Sequence, residues 1–291
     1  MDAGMLAYVM GAVFSGLVYG AVLALPTIGY SLTFGILGFP NVAFAAYVAA
    51  GAYIGITAVA GWGLHPAAAF VVATAAVAAL GLVVDRIVFR HFRGREMLSP
   101  FILSMGVLLI LENACRLIWG NSPRGLDLPI RPPIAIGPLR VHADELAVLG
   151  CALAAMGLVF ALLRFTRIGL AVRGIADDAA LAANRGVDIE RAIRFVWIVS
   201  SGLAGGAGVL FASQMLVSPA MAWSIIVPMF AAAVLGGVGS PVGALIGACT
   251  IGILEETSAL FVPPAYKVGV GFVVMSLVLL WRPQGLFRMK L

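Results

Sequence analysis

Two stretches of the chain, positions 3–84 and 195–254, contain no Asp, Glu, Lys or Arg. A helix needs about 20 predominantly apolar residues to cross a bilayer, so each stretch holds several spans. The apolar runs and their Gly/Pro punctuation predict a first span at about 6–25, ending near Pro26. A short Gly-rich piece, 27–40, is predicted as half of a broken helix that 41–60 continues. Further spans are predicted at about 66–88, 98–119, 144–163, 193–213, 225–235, 242–261 and 266–281. The fold class expected is therefore all-α, a polytopic helical membrane protein with about 8–10 membrane segments in one domain covering 1–291. Strand-type alternation is absent, which argues against a barrel.

One long polar segment, 164–194, interrupts this pattern and holds six arginines (164, 167, 173, 185, 191 and 194). Within it Asp177 and Asp178 precede Ala179-Ala180-Leu181-Ala182-Ala183, which closes on Asn184-Arg185-Gly186. Acidic residues first, helix formers next, then Arg and Gly predict one short capped helix. Leu181 is its only large apolar side chain, so the helix has no face to bury in a core of its own. Two readings follow: a solvated loop, or a helix that docks on another protein.

Composition agrees with the membrane reading. The chain is 62% hydrophobic and 11% charged, whereas soluble domains carry roughly a quarter charged residues. Charge placement sets the orientation. The segments 86–95, 164–194 and 282–291 hold thirteen Lys and Arg, against four (Arg124, Arg131, Arg140 and Lys267) in the opposite connections. The positive-inside rule places the first group in the cytoplasm, the N-terminus outside and the C-terminus inside. The beginning, Met1-Asp2-Ala3-Gly4, lacks a basic n-region, so a cleaved signal peptide is not expected.

A weak internal repeat links the halves. Gly35-Ile-Leu-Gly38-Phe-Pro40 and Gly236-Gly-Val-Gly239-Ser-Pro241 share G-x-x-G-x-P at an offset of 201, which Gly51 and Gly252 extend. Paired Gly/Pro-interrupted segments in two halves of a transporter point to a central pathway. That makes Gly35, Gly38, Asn41, Gly236, Gly239 and Ser240 candidate pathway residues.

Chemistry of other kinds has little support. Lys267 and Lys290 are the only lysines and neither ends a phosphate-binding loop. Cys115, Cys151 and Cys249 are far apart in apolar sequence, and His65, His91 and His142 are isolated from one another. No cofactor, metal, catalytic activity or nucleic-acid partner is expected. Glu112 and Arg116 stand four apart on one helix, and a carboxylate at Glu255 or Glu256 faces Lys267 across a turn, so structural pairing is expected for these charges. A pathway with no ion coupling of its own suits a pump driven by a separate ATPase.

Three stretches resemble the membrane permease subunits of bacterial branched-chain amino-acid ABC importers, the Liv-type family. They are Thr166-Arg167-x-Gly169 with Arg173, Ala176, Asp178, Ala182, Gly186 and Arg191; Leu235-Gly236-Gly237-Val238-Gly239-Ser240-x-x-Gly243-Ala244-x-x-Gly247 with Glu255; and Arg282-Pro283-Gln284-Gly285-Leu286-Phe287. With Tyr19 to Gly51 the likeness spans nearly the whole chain. The resemblance implies a multi-pass protein of the bacterial inner membrane and a second permease subunit, homologous or identical. It also implies two cytoplasmic ATPase subunits and an extracytoplasmic solute-binding protein. The capped-helix reading and the resemblance together make Arg173, Asp177, Asp178, Leu181, Ala182, Gly186 and Arg191 the candidate coupling residues. Where that family shows Asn-Phe-Ala-His-Gly, this chain has Asn41-Val42-Ala43-Phe44-Ala45. The solute is thus open between branched-chain amino acids and the urea, amides and aromatic acids of the wider superfamily. The rival classes are a stand-alone secondary carrier or channel and a non-transporting membrane scaffold.

Overall fold

The computed structural model describes residues 3–94, 96–126, 132, 134–136, 139–263 and 266–281. Arg95, Arg131, the motif 282–287 and the basic tail 282–291 lie outside the described residues. The helices are α1 (Ala3–Leu37), α2 (Ala43–Ile56), α3 (Pro66–Ile87), α4 (Leu98–Trp119), α5 (Ala143–Phe165), α6 (Arg167–Asp177), α7 (Ala179–Asn184), α8 (Ile189–Gln214), α9 (Met221–Gly236), α10 (Pro241–Ser258) and α11 (Lys267–Trp281). A π-helical turn at Thr57–Gly61 extends α2, and a 3-10 turn at Phe89–Phe92 follows α3. One antiparallel hairpin, β1 (Ile134–Ile136) with β2 (Leu139–Val141), pairs Ala135 with Arg140 inside the Pro-rich connection.

Six helices (α1, α2 with its π turn, α3, α4, α5 and α8) are long and apolar enough to cross a membrane, and α9 and α11 are shorter apolar helices. Helix α10 packs along α1. One expectation is corrected. Pro26 does not end the first span, because α1 runs unbroken through it to Leu37. Membrane helices tolerate proline where neighbouring helices and Ser/Thr side chains re-satisfy the backbone. Here Pro26 is enclosed, and the adjacent Thr27 hydroxyl donates to the Leu23 carbonyl at 2.7 Å. The break falls instead at Gly38, whose φ of 72° turns the chain toward α2.

Glycine decides how closely the central helices approach. Gly51 of α2 lies against the Gly205 and Gly208 backbones of α8, and Gly252 of α10 against Gly16 and Gly20 of α1. A Cβ at Gly252 would sit about 2.5 Å from the Gly20 Cα, so no larger residue fits either crossing without parting the helices. These two sites are the equivalents at the 201-residue offset, so the repeat recurs in packing. Helices α2 and α8 are largely enclosed, while α3, α4 and α5 leave most of their surface open.

Local signals start and stop the elements. Pro66 opens α3 behind His65, whose Nδ1 accepts from Ala67 N at 3.3 Å. His142 and Glu145 form a capping box on α5, and Glu145 also accepts from the Ser15 hydroxyl at 3.2 Å.

Candidate functional site: the polar segment and the two glycine turns

The polar segment folds as two helices rather than one. Thr166 caps α6: its hydroxyl accepts from Gly169 N at 3.0 Å and donates to the Leu162 carbonyl at 2.5 Å. Gly169 lets α6 fold back against the last turn of α5. Val172 and Ile175 are buried, three apart on one face, which the sequence reading missed. Asp177 ends α6 and is exposed, so only Asp178 caps α7, accepting from Leu181 N at 2.9 Å. The stop forms as expected. Gly186 has φ 80°, its N–H donates to Ala183 at 2.9 Å, and Val187 N donates to Ala182 at 3.1 Å. This pair of bonds is the Schellman arrangement. A third cap follows at Asp188, which accepts from Arg191 N at 3.0 Å and lies 3.6 Å from the Arg191 guanidinium.

The outward face of this segment is partly apolar. Leu181 is 54% exposed and Leu170 65%. Ala182, named with Leu181 as a coupling residue, is buried against the bundle and so is not open to a partner. Arg173 is half-buried and its Nε has no hydrogen-bond partner among the described residues.

An ion triad anchors the segment. Arg93 bridges Asp85 of α3 at 2.6 Å and Glu190 of α8 at 2.5 Å. It places the basic cluster after α3 at the same end of the bundle as α6 and α7. Sequence reading counted Arg93 only as topology. Asp85 breaking an 82-residue uncharged run was the signal available.

The two glycine turns meet at this end. Gly239 N donates to the Ser31 hydroxyl at 2.9 Å, and a Cβ on Gly35 would lie 3.6 Å from the Gly239 Cα. The equivalents Gly38 and Gly239 both adopt positive φ, 72° and 91°. Ser240 caps α10 by accepting from Gly243 N at 3.1 Å, with Pro241 in the first turn. Gly236 is in direct backbone contact with Gly243. Gly38 lines a pocket of about 200 Å³ with Phe39, Phe89, Arg93 and Met97. Asn41 is fully buried: its Oδ1 accepts from Ala43 N at 3.0 Å, and its Nδ2 has no hydrogen-bond partner among the described residues. Phe44 is also fully buried and stacks on Trp197, which in turn stacks on Phe89.

Near the other end, Glu112 accepts from Arg116 at 2.7 Å and from Trp223 Nε1 at 2.8 Å. Glu256 pairs with Lys267. Glu255 departs from the expected pairing. It is fully buried against Gly271, and neither oxygen has a hydrogen-bond partner among the described residues. The described residues contain no group of three or more His, Cys, Asp or Glu able to hold a metal.

A bundle of broken and glycine-crossed helices with a capped polar segment at one end is the architecture of a transporter's membrane subunit. Two solved structures share the fold. They are PsaBC from Streptococcus pneumoniae in complex with Fab (TM-score 0.51, 12% identity, 91% of this chain and 90% of that one) and an ABC transporter in an inward-facing conformation (TM-score 0.51, 16% identity, 94% and 85%). The family model described as branched-chain amino acid transport system / permease component matches residues 12–279, and the chain belongs to that family. Among its relatives is the high-affinity branched-chain amino acid transport system permease protein LivH of Escherichia coli K12, 29% identical over 96% of this chain and 95% of LivH. BraD of Pseudomonas aeruginosa is 29% identical over 94% and 93%. A probable LivH of Methanocaldococcus jannaschii is 26% identical over 93% and 90%. The chain is accordingly a multi-pass membrane permease subunit.

Proposed function

We propose that this subunit carries branched-chain or chemically related amino acids as one of a pair of permease subunits, homologous or identical. Two cytoplasmic ATPase subunits drive it, and an extracytoplasmic solute-binding protein loads it. The end bearing α6 and α7 faces the cytoplasm, with the N-terminus outside and the C-terminus inside. The observation carrying this reading is the mounting of α7. It is capped by Asp178, stopped by Gly186, tied through α8 to the Arg93 triad, and offers exposed Leu181 to a partner. A short helix fixed at both ends transmits a displacement, whereas a solvated linker absorbs it. The names of the curated relatives support the solute class.

The test is uptake of radiolabelled leucine into proteoliposomes holding the full complex. Uptake that requires ATP and the ATPase subunits is expected. Uptake that follows an ion gradient without them would establish a secondary carrier instead. If the complex transports an amide or aromatic acid and not leucine, the subunit assignment stands and the solute is reassigned.

A further inference from the structure

A cleft of about 290 Å³ opens between the end of α3 and the start of α8, lined by Leu82, Asp85, Arg86, Arg90, Glu190 and Arg194. Its two carboxylates are already engaged by Arg93. Arg86, Arg90 and Arg194 are exposed and none pairs with a carboxylate among the described residues; Arg194 Nε donates only to the Glu190 carbonyl, at 3.3 Å. Three guanidiniums therefore converge on one concave space with an excess of positive charge. Immediately further into the bundle the surface becomes apolar. Val83 lies one turn from Arg86 and is 52% exposed, Ala79 is exposed beyond it, and Ile198, one turn from Arg194, is 41% exposed.

We propose that this cleft binds the phosphate of an anionic phospholipid, with its acyl chains along Val83, Ala79 and Ile198. A phosphate accepts hydrogen bonds from several guanidinium groups at once, and basic pockets between membrane helices suit anionic head groups. The step from charged cleft to apolar stripe within one helical turn matches an amphipathic ligand. A free anion would use only the cleft, and a soluble subunit would leave the apolar stripe uncovered. Because α3 and α8 meet beside the Arg93 triad, the lipid also joins the two helices that hold the polar segment.

Native mass spectrometry of the purified chain, titrated separately with phosphatidylglycerol, phosphatidylcholine and inorganic phosphate, reads the site directly. One retained phosphatidylglycerol, preferred over phosphatidylcholine and undisturbed by phosphate, is expected. Arg90→Gln should weaken it about fivefold, and Arg86→Gln/Arg90→Gln/Arg194→Gln should compound that loss, at about fivefold per guanidinium near a membrane surface. The triple variant keeps Asp85, Arg93 and Glu190, and the single variant stands in for it if it fails to elute as a monodisperse species. Equal retention of both lipids, or unchanged binding by Arg90→Gln, overturns the proposal. Displacement by inorganic phosphate makes this a soluble-anion site and overturns the lipid assignment. Loss of ATPase-subunit capture with lipid retention intact makes it a protein dock, which also overturns it.

Discussion

Gly239 donates its main-chain N–H to the hydroxyl of Ser31, 208 positions earlier, at 2.9 Å. The bond fixes the α9–α10 turn to α1 at the point where the two G-x-x-G-x-P segments touch. Ser31→Ala leaves that N–H without its partner and should cost about 1 kcal/mol. Gly239→Val forces a β-branched side chain into φ 91°, at roughly 1–2 kcal/mol, and misplaces the turn. Gly35→Ala puts its Cβ at ordinary contact distance, 3.6 Å from Gly239. Leucine uptake at matched membrane levels should fall sharply for Gly239→Val and persist for Gly35→Ala. Full uptake by Gly239→Val would mean that the meeting of the turns is packing alone.

The glycine crossings make a sharper contrast. Gly252→Ala places a methyl into the α1 backbone at Gly20, while a methyl on Gly157 of α5 would meet nothing within 4 Å among the described residues. Gly252→Ala should lower the melting temperature in detergent markedly and reduce the yield of folded protein. Gly157→Ala should be neutral or gain up to about 1 kcal/mol from helix propensity. Equal melting temperatures for the two would show that the α1–α10 approach is looser than the structure has it.

How much of this was legible in the sequence depends on distance along the chain. The glycine repeat was readable because equivalent residues keep a fixed spacing, and both Gly38 and Gly239 proved to need positive φ. The α7 cap and stop were readable because Asp178, Leu181 and Gly186 are near neighbours. Helix α6 was missed because arginines dominated the reading, although Val172 and Ile175 stand one turn apart. Pro26 misled because a proline rule drawn from water was applied where neighbouring helices enclose the backbone. The Arg93–Glu190 bond joins residues 97 apart, and burial of Asn41 depends on helices meeting from across the chain. No local pattern encodes either.

Arg93 is the next residue to change. Asp85 is buried and its only ion-pair partner among the described residues is Arg93. Arg93→Gln removes that direct ion pair and leaves only the Arg86, Arg90 and Arg194 guanidiniums lining the same cleft, so the loss should fall at or below the low end of the about 3–5 kcal/mol that breaking a buried pair costs. Asp85→Asn/Arg93→Gln should recover much of the loss. Thermal unfolding of the three proteins checks this, and a double variant no more stable than Arg93→Gln would assign the defect to Glu190 instead.

Orientation can be settled by labelling. With Cys115, Cys151 and Cys249 replaced by Ala, single cysteines at Asn121 and Ala180, both exposed, report opposite ends of the bundle. A membrane-impermeant maleimide added to intact cells should label position 121 and reach position 180 only after lysis. The reverse pattern would put the polar segment outside and remove the basis for ATPase docking.

The coupling reading stands or falls on α7 itself. Gly186→Val places a β-branched residue at φ 80°, costing roughly 1–2 kcal/mol. It redirects the chain between the Schellman stop and the Asp188 cap without touching a span. Leu181→Asp acts differently. The side chain is 54% exposed in the isolated subunit, so folding should be unaffected, yet a contact that covers it would bury an unpaired charge. Ala182 supplies the control, because it faces inward: Ala182→Leu should lower the melting temperature, whereas Leu181→Asp should not. In the reconstituted complex, Leu181→Asp and Gly186→Val should both insert normally and lose leucine-stimulated ATP hydrolysis. If both keep full stimulation, α7 is a solvated connection and the ATPase acts through another surface.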